Sequence, residues 1–314
     1  MGALSKALRD PGAAWAKFRQ MAGRETWNVG IVAKPAHAFL ADPRPGPVRW
    51  LPELVEDGYL ADPFPYADGG RLRLLAEGYD YRQRTGYLVA VDPDAPGGPR
   101  VERLDVPLAG HLSYPQLIAH GGALGMIPES NAARQVTLLR GDPFPTRWVV
   151  DRVLLDGFPG CDATPVEHDG RWWLFCGNQD DRGTERLYLF MADALTGPWR
   201  PHPGNPVKSD AGSARPGGLP FVHEGVLYRP AQDCSRTYGG ALVLNRVTRL
   251  SETAFAEEVA VRVEPDRSGP YPDGLHHFVP FGDVTIIDGK RERFDAGTVA
   301  RWARWKLGQG AARR

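Results

Sequence analysis

The sequence predicts an all-β chain, a five-bladed β-propeller with short N- and C-terminal helices, and three observations carry that prediction. Five similar units follow one another between about Ala61 and Asp295. Four prolines anchor the first four units, Pro63, Pro115, Pro165 and Pro216, and they stand 52, 50 and 51 residues apart. The 314 residues include 37 Gly and 29 Pro, which favours many short strands joined by tight turns over long helices. A repeat of about 50 residues carrying four strands is the length of one propeller blade.

The elements follow in chain order. Residues 1–26 form a helical extension, because their few apolar side chains are spaced as on an amphipathic helix interrupted at Pro11. They contain no continuous apolar stretch of the kind a secretory signal needs, so a cytoplasmic protein is expected. Residues 27–294 are the propeller, and its first apolar run, Trp27 to Val32, is positioned to complete the last blade and close the ring. The units then begin at ADPFPYADGGRLRLLAEGYDY, LSYPQLIAHGGALGMIPESNAA, DATPVEHDGRWWLFCGNQDD and ARPGGLPFVHEGVLYRPAQDCS, with a weaker fifth at DGLHHFVPFGDVTIIDGKRER.

Each of the first four pairs two strands about a glycine turn, at Gly69 and Gly70, Gly121 and Gly122, Gly170, and Gly225, a hairpin signature. A four-stranded sheet has two apolar faces, and both are covered only when blades stack about an axis. Trp172 and Trp173, adjacent in one strand, must point to opposite faces. Residues 295–314 form a C-terminal helix and tail, with Val299, Trp302, Trp305 and Leu307 at helical spacing between basic residues.

Charge and motif content exclude several functions. Lys plus Arg and Asp plus Glu number 38 each, so no net field draws the chain to nucleic acid or an anionic membrane. No run approaches the roughly 18 apolar residues of a membrane span. Cys161, Cys176 and Cys234 include no C-x-x-C pair, so neither a disulfide framework nor a thiolate zinc site is indicated. Phosphate loops, HExxH, nucleophile elbows and kinase signatures are absent. No cofactor is expected, although a structural cation on the propeller axis is compatible with the His and Asp residues near the repeat starts.

The repeat itself predicts a site, because the innermost strands of all blades converge on the central funnel. Asp62, Ser113, Asp162, Arg215 and Asp273 stand at repeat starts, and Glu77 and Glu129 follow their anchoring prolines by the same interval. Gln179, Gln232 and Asp233 occupy comparable places in later units. Two carboxylates across a funnel can cleave a glycosidic bond, one protonating the leaving oxygen and the other activating water, when they lie roughly 6.5–9.5 Å apart for inversion. Asp62 is the candidate base, Glu129 the first candidate acid and Glu77 the second. Asp162 is placed to raise the acid's pKa by like-charge repulsion. Arg215, Gln232, Asp233, Ser113, Tyr114, His276 and His277 are candidate substrate contacts, and Tyr79, Tyr81, Tyr114 and Tyr238 are candidate stacking surfaces.

In the segments ADPF, LSYPQ, PES, ARPGG and QDCS, the chain resembles the five-bladed propellers of family-43 glycoside hydrolases. It is more specifically similar to the propeller at the N-terminus of plant glucosamine inositolphosphorylceramide transferases and their bacterial relatives. The hydrolase resemblance implies an Asp base matched by Asp62, an Asp modulator matched by Asp162, and a Glu acid from a later blade. The fourth unit offers Gln232 and Asp233 and no Glu there. Either Glu129 or Glu77 has taken the acid's role, or Asp233 serves, or hydrolysis is absent. In the transferases, the sugar-transferring domain is separate and is not part of this sequence. The expectation is therefore a carbohydrate-active enzyme working on a small glycoside or glycoconjugate by paired carboxylates. The alternative is a non-catalytic sugar- or glycolipid-binding propeller that assists a partner glycosyltransferase.

Overall fold

The computed structural model describes residues 23–294. The expected C-terminal helix and most of the expected N-terminal one lie outside those residues. Gly23–Val32 is a single strand, so β-structure begins four residues before the anticipated boundary at Trp27. Trp27–Lys290 form one compact unit.

That unit is a five-bladed propeller. The first blade comprises strands Gly58–Asp68, Arg71–Asp80, Thr85–Asp92 and Arg100–Arg103, hydrogen-bonded in that order. The second comprises Ser113–His120, Ala123–Glu129, Gln135–Gly141 and Trp148–Asp156. In the third, Gly160–His168, Arg171–Asn178, Arg186–Ala192 and the short Arg200–Pro201 are joined by Lys208–Ser209, which also pairs with the third strand. The fourth comprises Phe221–His223, Val226–Asp233, Ala241–Leu250 and Phe255–Val263. The fifth is composite. Phe278–Phe281 and Val284–Phe294 come from the end of the chain, and Gly23–Val32 and Val48–Trp50 from its beginning. The ring is thus closed by hydrogen bonds between distant parts of the chain, as the apolar run Trp27 to Val32 predicted.

The hairpin turns have the backbone their glycines suggested. Gly69 and Gly70, Gly121 and Gly122, Asp169 and Gly170, and Glu224 and Gly225 all have positive φ, the geometry that matches strand twist across a two-residue turn. The hydrophobic core lies between blades. Ile127, Val136, Leu174 and Phe190 pack the second blade on the third, and Trp172 adds to that cluster. Trp173, on the opposite face of the same strand, packs with Phe175 and Leu189 in a cluster that Leu250 and Phe255 of the fourth blade complete. Leu242, Leu244, Val32, Phe39 and Phe278 join the fourth blade to the fifth. Each blade's apolar faces are therefore covered by its neighbours. Cys161, Cys176 and Cys234 form no disulfide.

Candidate functional site

Three inner strands break register at their axial ends, between Ala61 and Phe64, Ser113 and Gln116, and Cys161 and Thr164. At each break one residue adopts a left-handed backbone: Asp62, Tyr114 and Asp162, with φ of 49°, 47° and 48°. Such a conformation is uncommon for a residue with a side chain, and a bulge of this kind turns both side chain and N–H off the ladder. These three N–H groups all find carboxylates of the preceding blade. Asp62 donates to Asp288 Oδ2 at 3.2 Å, Tyr114 to Asp62 Oδ2 at 3.2 Å, and Asp162 to Glu129 Oε2 at 2.9 Å.

The bulges correct the sequence alignment of the repeats. Pro63 and Pro115 directly follow their bulge residues, but Pro165 lies three residues beyond Asp162. The counterpart of Asp62 in the second blade is Tyr114 and not Ser113. Glu77 pairs with Ala61, Glu129 with Ser113, and Gly177 with Cys161. The third blade therefore has Gly177 where Gln179 was aligned, and Gln179 accepts a contact from the Cys161 thiol. Asp273 is bonded through its backbone to Lys290, and the fifth blade contributes His276, His277 and Asp288 instead.

A cavity of about 180 Å³ opens at the funnel, lined by Asp62, Glu77, Ser113, Glu129, Arg215 and His276 together with Trp27, Tyr59, His111 and Tyr238. Seven of the expected residues, those first six and the stacking candidate Tyr238, therefore come together. Arg215 anchors the acidic side: Nε lies 2.6 Å from Asp162 Oδ2, and Nη2 lies 3.3 Å from both Asp162 Oδ1 and Glu129 Oε2. Gln232 donates to Asp162 Oδ2 and to the Pro216 carbonyl, both at 2.8 Å, so it sits behind Arg215 and outside the cavity lining. Asp233 faces away, paired with Arg262 and accepting the Ser235 N–H. Tyr114 is fully buried, its hydroxyl shared between Thr164 Oγ1 and the Gly218 backbone, a bracing position and not a stacking one. His277 is likewise fully buried, with Nε2 3.1 Å from the Pro63 carbonyl. Tyr79 and Tyr81 pack with Tyr59 beside the cavity, and the Tyr59 and Tyr79 rings stack at 4.7 Å.

Asp288 was not anticipated. It stands one residue off the register of Glu77 and Glu129, and its one sequence signal is an acid ending the apolar run Val284 to Ile287. It is fully buried, accepts the N–H groups of His276 and His277 at 3.1 Å, and lies 2.6 Å from His276 Nδ1. Trp27 and Tyr59 were also missed as cavity walls. The Trp27 ring stacks on His276 at 3.9 Å, and Arg215 lies over the Tyr238 ring.

Burial acts differently on each titratable group. It raises Asp62 to about 7; His276 pulls the other way, and Asp162 and Asp288 add to the rise. Glu77 is driven well above the usual carboxylate range by burial and by the neighbouring Asp62 and Glu129. Burial works to lower His276, but Asp288 and Asp62 beside it outweigh that and hold it above its ordinary value. His277 falls to about 3 because burial dominates. Asp62, His276 and Asp288 each present one atom within 4.8 Å of the others, so these three could gather a cation. The donor set also satisfies itself, since His276 and Asp288 already neutralise one another. Chemically, the cavity offers two carboxyls whose pKa values are raised, Asp62 and Glu77, together with a fixed guanidinium and three aromatic side chains.

The family model for the N-terminal region of glucosamine inositolphosphorylceramide transferase 1 matches residues 53–271. The chain is 34% identical over 269 residues to the glucosamine inositolphosphorylceramide transferase 1 of Oryza sativa subsp. japonica, covering 79% of this chain and 36% of that protein. It is 33% identical over 254 residues to the Arabidopsis thaliana protein of the same name, covering 76% of this chain and 33% of that protein. The chain thus spans about a third of the length of these relatives. Among solved structures, the catalytic domain of a family-62 α-L-arabinofuranosidase from Coprinopsis cinerea superposes with a TM-score of 0.50 at 13% identity, over 70% of this chain and 76% of that one. A family-43 β-xylosidase/α-arabinofuranosidase from a compost microbial metagenome superposes with a TM-score of 0.50 at 12% identity, over 77% of this chain and 93% of that one. At these identities the likeness is one of fold.

Proposed function

This chain belongs to the family of glucosamine inositolphosphorylceramide transferase 1 N-terminal domains, and from that premise we propose that its funnel binds the sugar of a glycoside or glycoconjugate and acts on the glycosidic bond. The observation that carries this reading is Glu77. It lines the cavity that Asp62 also lines, is only 5% exposed, and has one oxygen with no hydrogen-bond partner. A buried carboxyl held in its acid form is what a leaving oxygen requires.

In this reading the acid's role passes from Glu129 to Glu77. Glu129 accepts from both Arg215 and the Asp162 N–H, which commits it to orienting the guanidinium. Glu77 gives its proton to the glycosidic oxygen as the bond from that oxygen to the anomeric carbon breaks. Asp62 takes a proton from water or an acceptor hydroxyl as the new carbon–oxygen bond forms. Asp62 retains acceptor capacity for this, because its Oδ1 lies 3.6 Å and 3.7 Å from the two imidazoles. Arg215 and the rings of Trp27, Tyr59 and Tyr238, which line the cavity, hold the sugar in this reading.

A second reading, sugar recognition on behalf of a partner glycosyltransferase, draws on Arg215. At the start of the fourth blade a cation stands across from Asp162, and no carboxylate is found there. The test is incubation with a panel of p-nitrophenyl glycosides. The enzymatic reading expects turnover that falls by about 100-fold or more in Asp62→Asn and in Glu77→Gln, with the fold intact. Saturable binding of the same glycosides without release of nitrophenol would replace it with the recognition reading.

A further inference from the structure

His111 lies in the loop that leads into the second blade, at the rim of the funnel cavity. Its Nδ1 accepts the backbone N–H of Gly86 at 2.8 Å. A neutral imidazole accepts at one nitrogen and donates at the other, so this bond places the ring proton on Nε2. Burial, with Arg215 nearby, lowers the His111 pKa, which favours the neutral ring. Nε2 lies 3.5 Å from Glu77 Oε1, an oxygen buried from solvent that has no hydrogen-bond partner.

The local chain is shaped around this arrangement. A Cβ on Gly86 would fall 2.4 Å from Glu77 Oε1, 2.6 Å from the Leu112 carbonyl and 2.8 Å from His111 Cε1. The space a side chain would fill is occupied by the two functional groups. The Leu112 N–H donates to the Gly86 carbonyl at 3.1 Å, so the N–H and the carbonyl of Gly86 both hold the loop to the strand. Asp62, Glu129, Arg215 and His276 line the same cavity as Glu77, and none of them donates to Oε1.

We propose that His111 is a positioning residue for Glu77: by donating from Nε2 to Oε1 it fixes Oε1 as the carbonyl oxygen and leaves Oε2 to carry the proton. Because Nδ1 is held by Gly86, the ring cannot switch tautomer and does not itself relay protons. It sets which oxygen of the acid is reactive. This rests on the reading of Glu77 as proton donor, but its test needs no turnover.

The first measurement is nitrogen-15 NMR of imidazole-labelled protein, which is expected to show His111 protonated at Nε2 only. The second is isotope-edited infrared spectroscopy of glutamate-labelled protein at a pH below the Glu77 titration, with the Glu77 carbonyl band identified by its loss in Glu77→Gln. In His111→Phe that band is expected to move to higher wavenumber as the carbonyl loses its donor. In His111→Gln, whose amide N–H can donate in the same direction, it is expected to return toward the wild-type position. A ring protonated at Nδ1, or a band unmoved in folded His111→Phe, overturns the proposal. A protein that cleaves no glycoside yet shows the band shift would defeat the enzymatic reading and leave this one standing.

Discussion

The backbone N–H of Asp162 donates to the carboxylate of Glu129 across the boundary between the third and second blades, at 2.9 Å. The same Glu129 oxygen receives Arg215 from the fourth blade, so one carboxylate joins three blades at the axis. The bond exists because Asp162 takes a left-handed backbone that turns its N–H toward the funnel. Backbone strain at the bulge is offset by a charge-assisted hydrogen bond in a buried site.

Removing one partner of this network leaves buried groups unpaired. Glu129→Ala strips acceptors from Arg215 and from the Asp162 N–H, and should lower stability by about 3–5 kcal/mol. Glu129→Gln keeps an acceptor and should cost less. Urea denaturation of both variants checks the order, and equal losses would contradict it.

Ring closure depends on the close approach of the fourth and fifth blades. Gly218 has φ of +122°, and a Cβ there would lie 2.0 Å from the Phe278 carbonyl oxygen. Gly218→Ala meets both a forbidden backbone and a backbone clash, and is expected to cost more than about 2 kcal/mol. A thermal melt unchanged from wild type would contradict the packing described.

Stability should fall with rising pH in the window set by Asp62. Its carboxyl is raised to about 7 from an ordinary 3.8, so between those values the folded state holds a proton that the unfolded state has lost. Stability contributed by that proton is present below the unfolded value and lost as pH rises through the folded one. Glu77, raised in the same direction, adds to the trend. Asp62→Asn and Glu77→Gln should therefore gain on wild type in melting temperature at pH 8 relative to pH 4. A gap that stays constant across that range would contradict the assignment.

Turnover should carry the same signature. Asp62 must be ionised and Glu77 protonated, so activity is expected to rise as pH climbs through about 7 and fall as Glu77 loses its proton. A pH–rate profile without an acidic limb near 7 would remove Asp62 as the base.

The architecture was legible in the sequence because each of its causes is periodic. Gly70 and Gly225 mark turns, Trp172 and Trp173 alternate between faces, and Trp27 to Val32 has the composition of a buried strand. The site was legible only where it followed the repeat, as Asp62, Glu77, Glu129 and Arg215 do. Asp288 escaped because it stands one residue off that register and the fifth repeat is weak. Tyr114 was misplaced because a bulge rotates it into the core, and at a strand's end the shift in alternation spans too few residues to be read from the sequence. Gln232 sits beside the right residues but one layer behind them, a depth that spacing cannot encode.

The most direct test of the central claim is a crystal structure of the Glu77→Gln variant soaked with a p-nitrophenyl glycoside that the wild type cleaves or binds. A sugar ring is expected in the funnel cavity, against Trp27 or Tyr238, with Asp62 and the substituted amide side chain flanking its anomeric carbon. A sugar bound outside the funnel, or one in the funnel whose anomeric carbon neither side chain approaches, would contradict it.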